Sequence, residues 1–347
     1  GSDANDTHIK LLRYYHEAIG KPQCRKIIAR ERSYHGVTVA AASLTGLPVT
    51  QNHFDLPVDA LGILRTDHPH YYRGKLGEES ETEFVDRIVG NLESMIVREG
   101  PDTIAAFIAE PITGASGVIV PPTDYYPKVQ AVLNKYDIMF WADEVITGFG
   151  RTGNDFGCTT MGIDSPHMMT FAKQLSSAYM PISASAIRRE MYDAMIDQSA
   201  NAGAFGHGYT YSGHPVACAV ALKTLEIYTR DSIFEKAAVT GEYLQKRLAE
   251  FVDHPLVGEV RGKGLLGALE LVANKETGQA FVGGAVGGYA QKMAQDSGLL
   301  IRAVAGSCLG FCPPLIITPE QIDEMMAKTT IALDKTLEHC KNQGLLG

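Results

Sequence analysis

Three short runs dominated by apolar side chains, TIAAFIA (103–109), IMFWA (138–142) and MMTFA (168–172), each stop at an ionisable residue: Glu110, Asp143 and Lys173. Runs of this length without polar alternation read as strands covered on both faces. Between them lie stretches with helical spacing. Residues 81–99 carry Phe84, Ile88, Leu92, Met95 and Ile96 along one helical face, and 7–18 and 124–136 also read as helices. Further strands are expected at 24–32 and 182–187. Strands alternating with helices give an α/β domain with a mostly parallel sheet. In such sheets ligands bind beyond the carboxyl ends of the strands. Two acids and a lysine delivered to one edge would build a polar site over an apolar floor.

After Gly213 the pattern changes. Residues 215–229 and 233–251 read as long helices, 265–272 and 299–303 as strands, and 319–339 as a terminal helix. Two domains are expected: a large one at 1–229 and a smaller α+β one at 230–347. With 347 residues and 45% hydrophobic composition, a large core can form. A net charge of −9 and the lack of a Lys/Arg cluster argue against a nucleic-acid partner. No apolar run approaches the roughly 20 residues that span a bilayer. Cys24, Cys158, Cys218, Cys308, Cys312 and Cys340 are scattered and include no CxxC pair. They are expected to be reduced thiols in a cytoplasmic protein.

Several motifs carry little. Gly148–Gly153 matches GxGxxG after a strand, but 154–166 lacks helical periodicity, so no helix N-terminus is expected to receive a pyrophosphate. The second match, Gly262–Gly267, runs into a strand. Asp67, His68 and His70 lack further His or Cys at metal-ligand spacing and read as a polar loop. No GxSxG elbow supports a hydrolase.

Lys173 carries more. A nucleophilic lysine needs a lowered pKa or imine formation, and an apolar setting supplies the desolvation. Pyridoxal 5'-phosphate uses such a lysine, and its ring nitrogen takes a carboxylate partner. Asp143 can fill that role. The cofactor's phosphate needs donors at a helix N-terminus. Gly1-Ser2-Asp3-Ala4-Asn5, ahead of the helix expected from residue 7, fits as a phosphate cup.

The chain resembles the class III pyridoxal-phosphate-dependent aminotransferases, and within them the omega-amine or omega-amino acid:pyruvate transaminases. The resemblance is carried by GSDAND (1–6), SYHG (33–36), AEPITGASGVIVPP (109–122), ADEVITGFGRTG (142–153), FAKQLSSAYMPISA (171–184), HGYTYSGHPVACA (207–219), RGKGLLGALELV (261–272) and RAVAGSCLGFCPPLIIT (302–318). It implies the type I fold of these enzymes: a large cofactor-binding domain, a small C-terminal domain, and a homodimer or dimer of dimers with shared active sites. It also implies residue roles. Lys173 would hold the cofactor and shuttle a proton. Asp143 would pair with the pyridine nitrogen, and Val145 would pack on the ring. Tyr34 would stack on the other ring face, with His35 of the same motif also at the cofactor. Gly1 and Ser2 would bind the phosphate, and Thr210 the phosphate of a neighbouring subunit's cofactor. Glu110 and Thr113 would lie near the phenolic edge. Arg302 would be the mobile arginine that grips an acceptor's carboxylate.

Two departures matter. Relatives that use glutamate and 2-oxoglutarate carry a Glu where this chain has Ala115, and that Glu gates the mobile arginine. With Ala115, a small keto acid such as pyruvate is expected to suit the site better. Family members also carry a segment ahead of GSDAN, so the chain is expected to be N-terminally shortened. The expected activity is transamination from an amine or omega-amino acid donor. The alternatives are an aminomutase or decarboxylase on the same scaffold, an inactive truncated product, and a nicotinamide oxidoreductase acting through 148–153.

Overall fold

A strand that is apolar on both faces must be covered on both faces, and that requirement sets the layering of the N-terminal two-thirds. The structure is a computed structural model that describes residues 1–347, the side chain of Ala202 excepted. The chain divides into two compact units, Gly1–Thr113 with Pro121–Phe149 and Phe156–Arg230, and Gly114–Val120 with Gly150–Asp155 and Asp231–Gly347. Two short segments therefore group with the C-terminal unit, a detail that a single cut near residue 230 leaves out.

In chain order the first unit contains α1 (Ser2–Ala18), β1 (Lys26–Arg30), α2 (Val39–Leu44), β2 (Ile63–Thr66), α3 (Tyr71–Gly74), α4 (Glu81–Glu99), β3 (Ile104–Ala109), α5 (Tyr125–Lys135), β4 (Met139–Asp143), α6 (Gly157–Met161), β5 (Met168–Phe171), β6 (Ala184–Ile187), α7 (Arg189–Ala202) and α8 (Pro215–Arg230). Its six strands follow the order β2-β1-β3-β4-β5-β6. All neighbours are parallel except the antiparallel β5–β6 pair that closes one edge. Every residue of β3 and β4 is buried. Trp141, Ile27, Ile108 and Met168 form the core with Leu12 of α1. Each such fully buried large apolar side chain contributes about 1.5–3 kcal/mol. Helix α4 starts at a capping box, with the Ser80 hydroxyl accepting from the Glu83 N–H while the Glu83 carboxylate accepts from the Ser80 N–H.

The second unit contains α9 (Ile233–Ala249), β7 (Val257–Lys263), β8 (Leu266–Asn274), β9 (Gln279–Ala280), α10 (Ala285–Asp296), β10 (Arg302–Val304), β11 (Cys308–Phe311) and α11 (Pro319–Asn342). Its strands pair in the order β10-β11-β8-β7, all antiparallel, with β9 on β8. The Gly262–Gly267 match is the β7–β8 hairpin turn. The expected strand at 299–303 begins instead at Arg302.

Three corrections concern helices. Helix α1 begins at Ser2, not near residue 7, so the proposed cup is the helix's own first turn. The expectation of no helix after the first GxGxxG match fails, because α6 forms there. Its N-terminus is already filled: the Glu144 carboxylate accepts from the N–H groups of Gly157 (2.9 Å) and Cys158 (2.7 Å). Helix α7 and strands β2 and β7 have no counterpart in the sequence reading. Among the described residues, no helix is long and apolar enough to cross a membrane.

Candidate active site

Strands β3, β4 and β5 are parallel, so their carboxyl ends share one edge. Glu110 follows β3, Asp143 closes β4, and Lys173 lies two residues past β5. All three line one cavity of about 550 Å³. Gly1, Ser2, Tyr34, His35 and Val145 line it as well. The strand order places this edge at the β1/β3 switch point, where open α/β sheets leave a crevice. The Tyr34 N–H, in the loop after β1, donates to the Glu110 carboxylate across that switch at 2.9 Å.

Asp143 is almost fully buried, 2% exposed, and heavily partnered. His35 Nδ1 donates to Oδ2 at 2.7 Å, the Asn5 amide donates to the same oxygen at 3.1 Å, and the Val145 N–H donates to Oδ1 at 3.1 Å. Burial alone would push this carboxyl up. The hydrogen bond and charge of His35, then Asn5 and Val145, outweigh it and hold the group below the usual carboxylate range. Because an ionised carboxylate oxygen can only accept, His35 Nδ1 carries a proton in this contact.

The start of α1 also lines the cavity. Gly1 is the N-cap and offers no side-chain cap, so the first-turn N–H groups lack helical acceptors. Gly1, Ser2 and Asp3 border the cavity at that point. The Ser2 hydroxyl accepts from the Val37 N–H at 3.1 Å. That contact requires a glycine next door. A Cβ on Gly36 (φ +127°) would lie 2.4 Å from the Ser2 Oγ.

Lys173 opens a short turn directly after the buried Ala172. Its backbone is left-handed (φ 39°), and Ser177 (φ 49°) and Ala178 (φ 64°) repeat that strain. Such strain costs about 1–3 kcal/mol per residue and persists where surroundings enforce it. The Tyr228 hydroxyl from α8 donates to the Gln174 carbonyl at 2.8 Å, and the Ser176 hydroxyl donates to the Met180 carbonyl at 2.6 Å. Lys173 itself is exposed, so the dry setting expected for it is not supplied by this chain alone.

Other expected site residues lie elsewhere. Thr113 is buried and turns its hydroxyl oxygen to Arg30, which donates at 3.2 Å; it is not part of the cavity wall among the described residues. Arg30 also donates to the Glu110 carbonyl at 2.6 Å and to the Tyr126 hydroxyl at 3.0 Å. Thr210 is exposed and does not line the cavity. Arg302 is an exposed residue paired with Gly310 on β11, and Ala115 belongs to the same unit. The segment holding Ala115 meets the other end of the β10–β11 hairpin: Cys308 lies against Gly117, and the Arg261 Nε–H donates to the Gly117 carbonyl at 2.8 Å. Asp67 accepts from Asn91 at 2.8 Å.

Two residues at the site escape sequence reasoning. Asn5 reads as part of the cup, yet it is fully buried with its amide on Asp143. Gly36 enters the sequence reading only as the last residue of SYHG (33–36). Only its positive φ and the approach of Ser2 reveal its constraint.

The family model "Aminotransferase class-III" matches residues 1–333. The mitochondrial gamma aminobutyrate transaminase 1 of Solanum lycopersicum is 48% identical over 347 residues, covering 99% of this chain and 67% of the plant protein. The chain thus spans about two thirds of the length of the plant relatives it matches. The omega transaminase of Pseudomonas jessenii, solved in complex with PMP (pyridoxamine 5'-phosphate), superposes with a TM-score of 0.94 at 49% identity, covering 97% of this chain and 74% of that one. A structure described as a transaminase with L-ala superposes with a TM-score of 0.95 at 49% identity, covering 98% of this chain and 79% of that one.

Proposed function

The chain belongs to the class-III aminotransferase family, and on that premise we propose that it moves an amino group from a primary amine or omega-amino acid to a small keto acid such as pyruvate. One observation carries the reading: Lys173, Asp143 and the uncapped first turn of α1 converge on one cavity. The residues fit pyridoxal 5'-phosphate, the cofactor of this family. Asp143 is an acid held ionised inside the protein, which suits a protonated ring nitrogen. The α1 N-terminus with Ser2, kept open by Gly36, suits a phosphate. When bound, the cofactor supplies a reactive carbonyl and an electron-withdrawing ring.

The chain's own groups then divide the work. Lys173 Nζ would hold the cofactor, and as an acid–base group it would move a proton to and from the donor's carbon. The Asp143 carboxylate would pair with the ring nitrogen, and Val145 and Tyr34, which line the same cavity, would pack against the ring. Glu110 and His35 border the same cavity. Arg302 grips the carboxylate of the acceptor, and Ala115 leaves it without an acidic gate. The relative solved with L-alanine, the product of aminating pyruvate, supports that acceptor.

A homodimer, alone or paired into a tetramer, completes the site, with Thr210 serving the phosphate of a neighbouring subunit's cofactor. The exposed Tyr179, Tyr209 and Tyr211 suit such an interface. All six cysteines are free thiols, which suits a reducing compartment such as the cytoplasm.

The test is a visible spectrum with added pyridoxal 5'-phosphate. The reading expects a band that borohydride fixes, that an amine bleaches, and that pyruvate restores better than 2-oxoglutarate. Identical spectra for the unsubstituted protein and Lys173→Ala would refute it. Bleaching that no keto acid reverses would point to the aminomutase or decarboxylase alternative.

A further inference from the structure

Strand register puts Trp141, Asp143 and Thr170 on one face of the sheet: Trp141 and Asp143 are two residues apart on β4, and Thr170 is the register partner of Asp143 on β5. Helix α1 lies against this face. His8 packs on the Trp141 ring at 5.0 Å, and Asn5 reaches Asp143. The hydrogen bonds among these groups have only one possible direction. An indole N–H can donate but not accept. Trp141 Nε1 donates to the Thr170 hydroxyl oxygen at 2.8 Å. The Thr170 hydroxyl proton therefore points elsewhere, to the Asn5 Oδ1 at 2.7 Å. With its carbonyl so engaged, Asn5 must turn both amide protons the other way. They reach the Asp143 Oδ2 at 3.1 Å and the His35 carbonyl at 2.6 Å. Asn5, Thr170 and Trp141 are each fully buried, so water cannot substitute for a missing partner.

We propose that Trp141, Thr170 and Asn5 are positioning residues that form a one-way hydrogen-bond relay, fixing the Asp143 carboxylate in the orientation the cofactor's ring nitrogen requires. The proposal rests on the reading of the cavity as a pyridoxal-phosphate site. Without the Thr170 hydroxyl, the buried Asn5 carbonyl oxygen loses its donor, and the amide's orientation rests on the Asp143 and His35 oxygens alone. That unpaired oxygen weakens the hold of the amide on the carboxylate. A chain of bonds polarised toward the anion also strengthens each member. The titratable groups around Asp143 are His35 from the loop after β1, His8 from α1, and Glu110, Lys173 and Asp3 on the cavity wall. None of them is a member of the relay.

Trp141 is the chain's only tryptophan, so its indole N–H gives a single, assignable nitrogen–proton resonance. In the cofactor-free protein, Asp143→Asn is expected to shift that resonance. In a Thr170→Val background the same change is expected to have no effect on it. This double-mutant comparison separates the relay from local influence along β4. A second measurement is the equilibrium affinity for pyridoxamine 5'-phosphate, which needs no bond to Lys173. Thr170→Val is expected to bind about tenfold more weakly, while Thr170→Ser, which keeps the hydroxyl, stays near the unsubstituted protein. If Thr170→Val fails to fold, Trp141→Phe against Thr170→Ser supplies the same affinity comparison. Equal indole shifts in both backgrounds, or equal affinities for the variants with and without the relay, would overturn the proposal. Coupling in the resonance without any pyridoxamine 5'-phosphate binding would leave the relay standing and refute the cofactor reading instead.

Discussion

Replacing Gly36 by alanine tests how tightly the first turn of α1 is seated. The new Cβ would lie 2.4 Å from the Ser2 Oγ, 2.9 Å from the Ser2 Cβ and 2.9 Å from the Ala41 Cβ, at a backbone φ of +127°. The backbone conformation alone costs a non-glycine residue about 1–3 kcal/mol. Overpacking of this kind adds about 1–3 kcal/mol, because Ser2 or Ala41 must shift. A total near 3 kcal/mol corresponds to a drop in melting temperature of about 6–12 °C for a unit of this size. Gly20 provides the control: it also has positive φ (+73°), but an added Cβ there meets nothing within 4 Å. Gly20→Ala should therefore show only the backbone penalty, about 1 kcal/mol. The assay is thermal melting of both variants, with pyridoxamine 5'-phosphate titration alongside. Because Ser2 borders the cavity, Gly36→Ala should also weaken that ligand by more than about tenfold, roughly 1.4 kcal/mol, while Gly20→Ala should not. If the two variants melt together and bind alike, the seating argument is wrong.

Other expectations follow from the same geometry. Burial pushes the His8 imidazole down to about 4. The unfolded chain takes up that proton at higher pH, so stability should fall by about 3 kcal/mol as pH drops from 6.5 to 4. In urea melts, His8→Gln should flatten that part of the pH profile, and an unchanged slope would exclude His8 as the cause. Tyr228→Phe removes the donor to the Gln174 carbonyl beside Lys173. It should lower kcat several-fold with little change in KM, and steady-state kinetics that match the unsubstituted enzyme would show that the turn holds without it. Tyr126→Phe removes the hydroxyl that accepts from Arg30 and donates to the Glu110 carbonyl at 2.7 Å. The Glu110 carbonyl keeps Arg30, but the buried Arg30 Nη1 loses this acceptor; that should cost about 1–3 kcal/mol in chemical denaturation, and a loss below about 0.5 kcal/mol would argue against the network's importance.

How far the sequence reveals this fold depends on how each element is stabilised. Helix α4 is legible end to end because its apolar stripe and its Ser80–Glu83 box are both local signals. Strands β3 and β4 are legible because burial on both faces leaves an unbroken apolar run. Helix α7 is hidden, since it buries little beyond Met191 and so lacks an apolar stripe. Strand β7 is hidden by charge: Arg261 is buried only because Glu259 and Glu270 pair with it, and Glu270 comes from the neighbouring strand. The site divides the same way. Glu110, Asp143 and Lys173 show themselves as ionisable residues ending apolar runs. Asn5 does not, because its burial depends on Thr170 and Asp143 meeting it from distant parts of the chain. Thr113 looks like a site residue by motif, but the buried Arg30 claims its hydroxyl.

The bond between Thr170 and Asn5 joins residues 165 positions apart. A ribosome adding about 5–20 residues per second would take roughly 10–30 s to make the second partner after the first. During that interval α1 is synthesised without the β5 face on which Asn5 rests, and its apolar face, Ile9 and Leu12 included, awaits the rest of the sheet. Docking of α1 therefore belongs late in folding, after a long loop has been closed. The wall proposed to receive the phosphate would then form late, and a chain stalled before residue 170 would have the helix but no site.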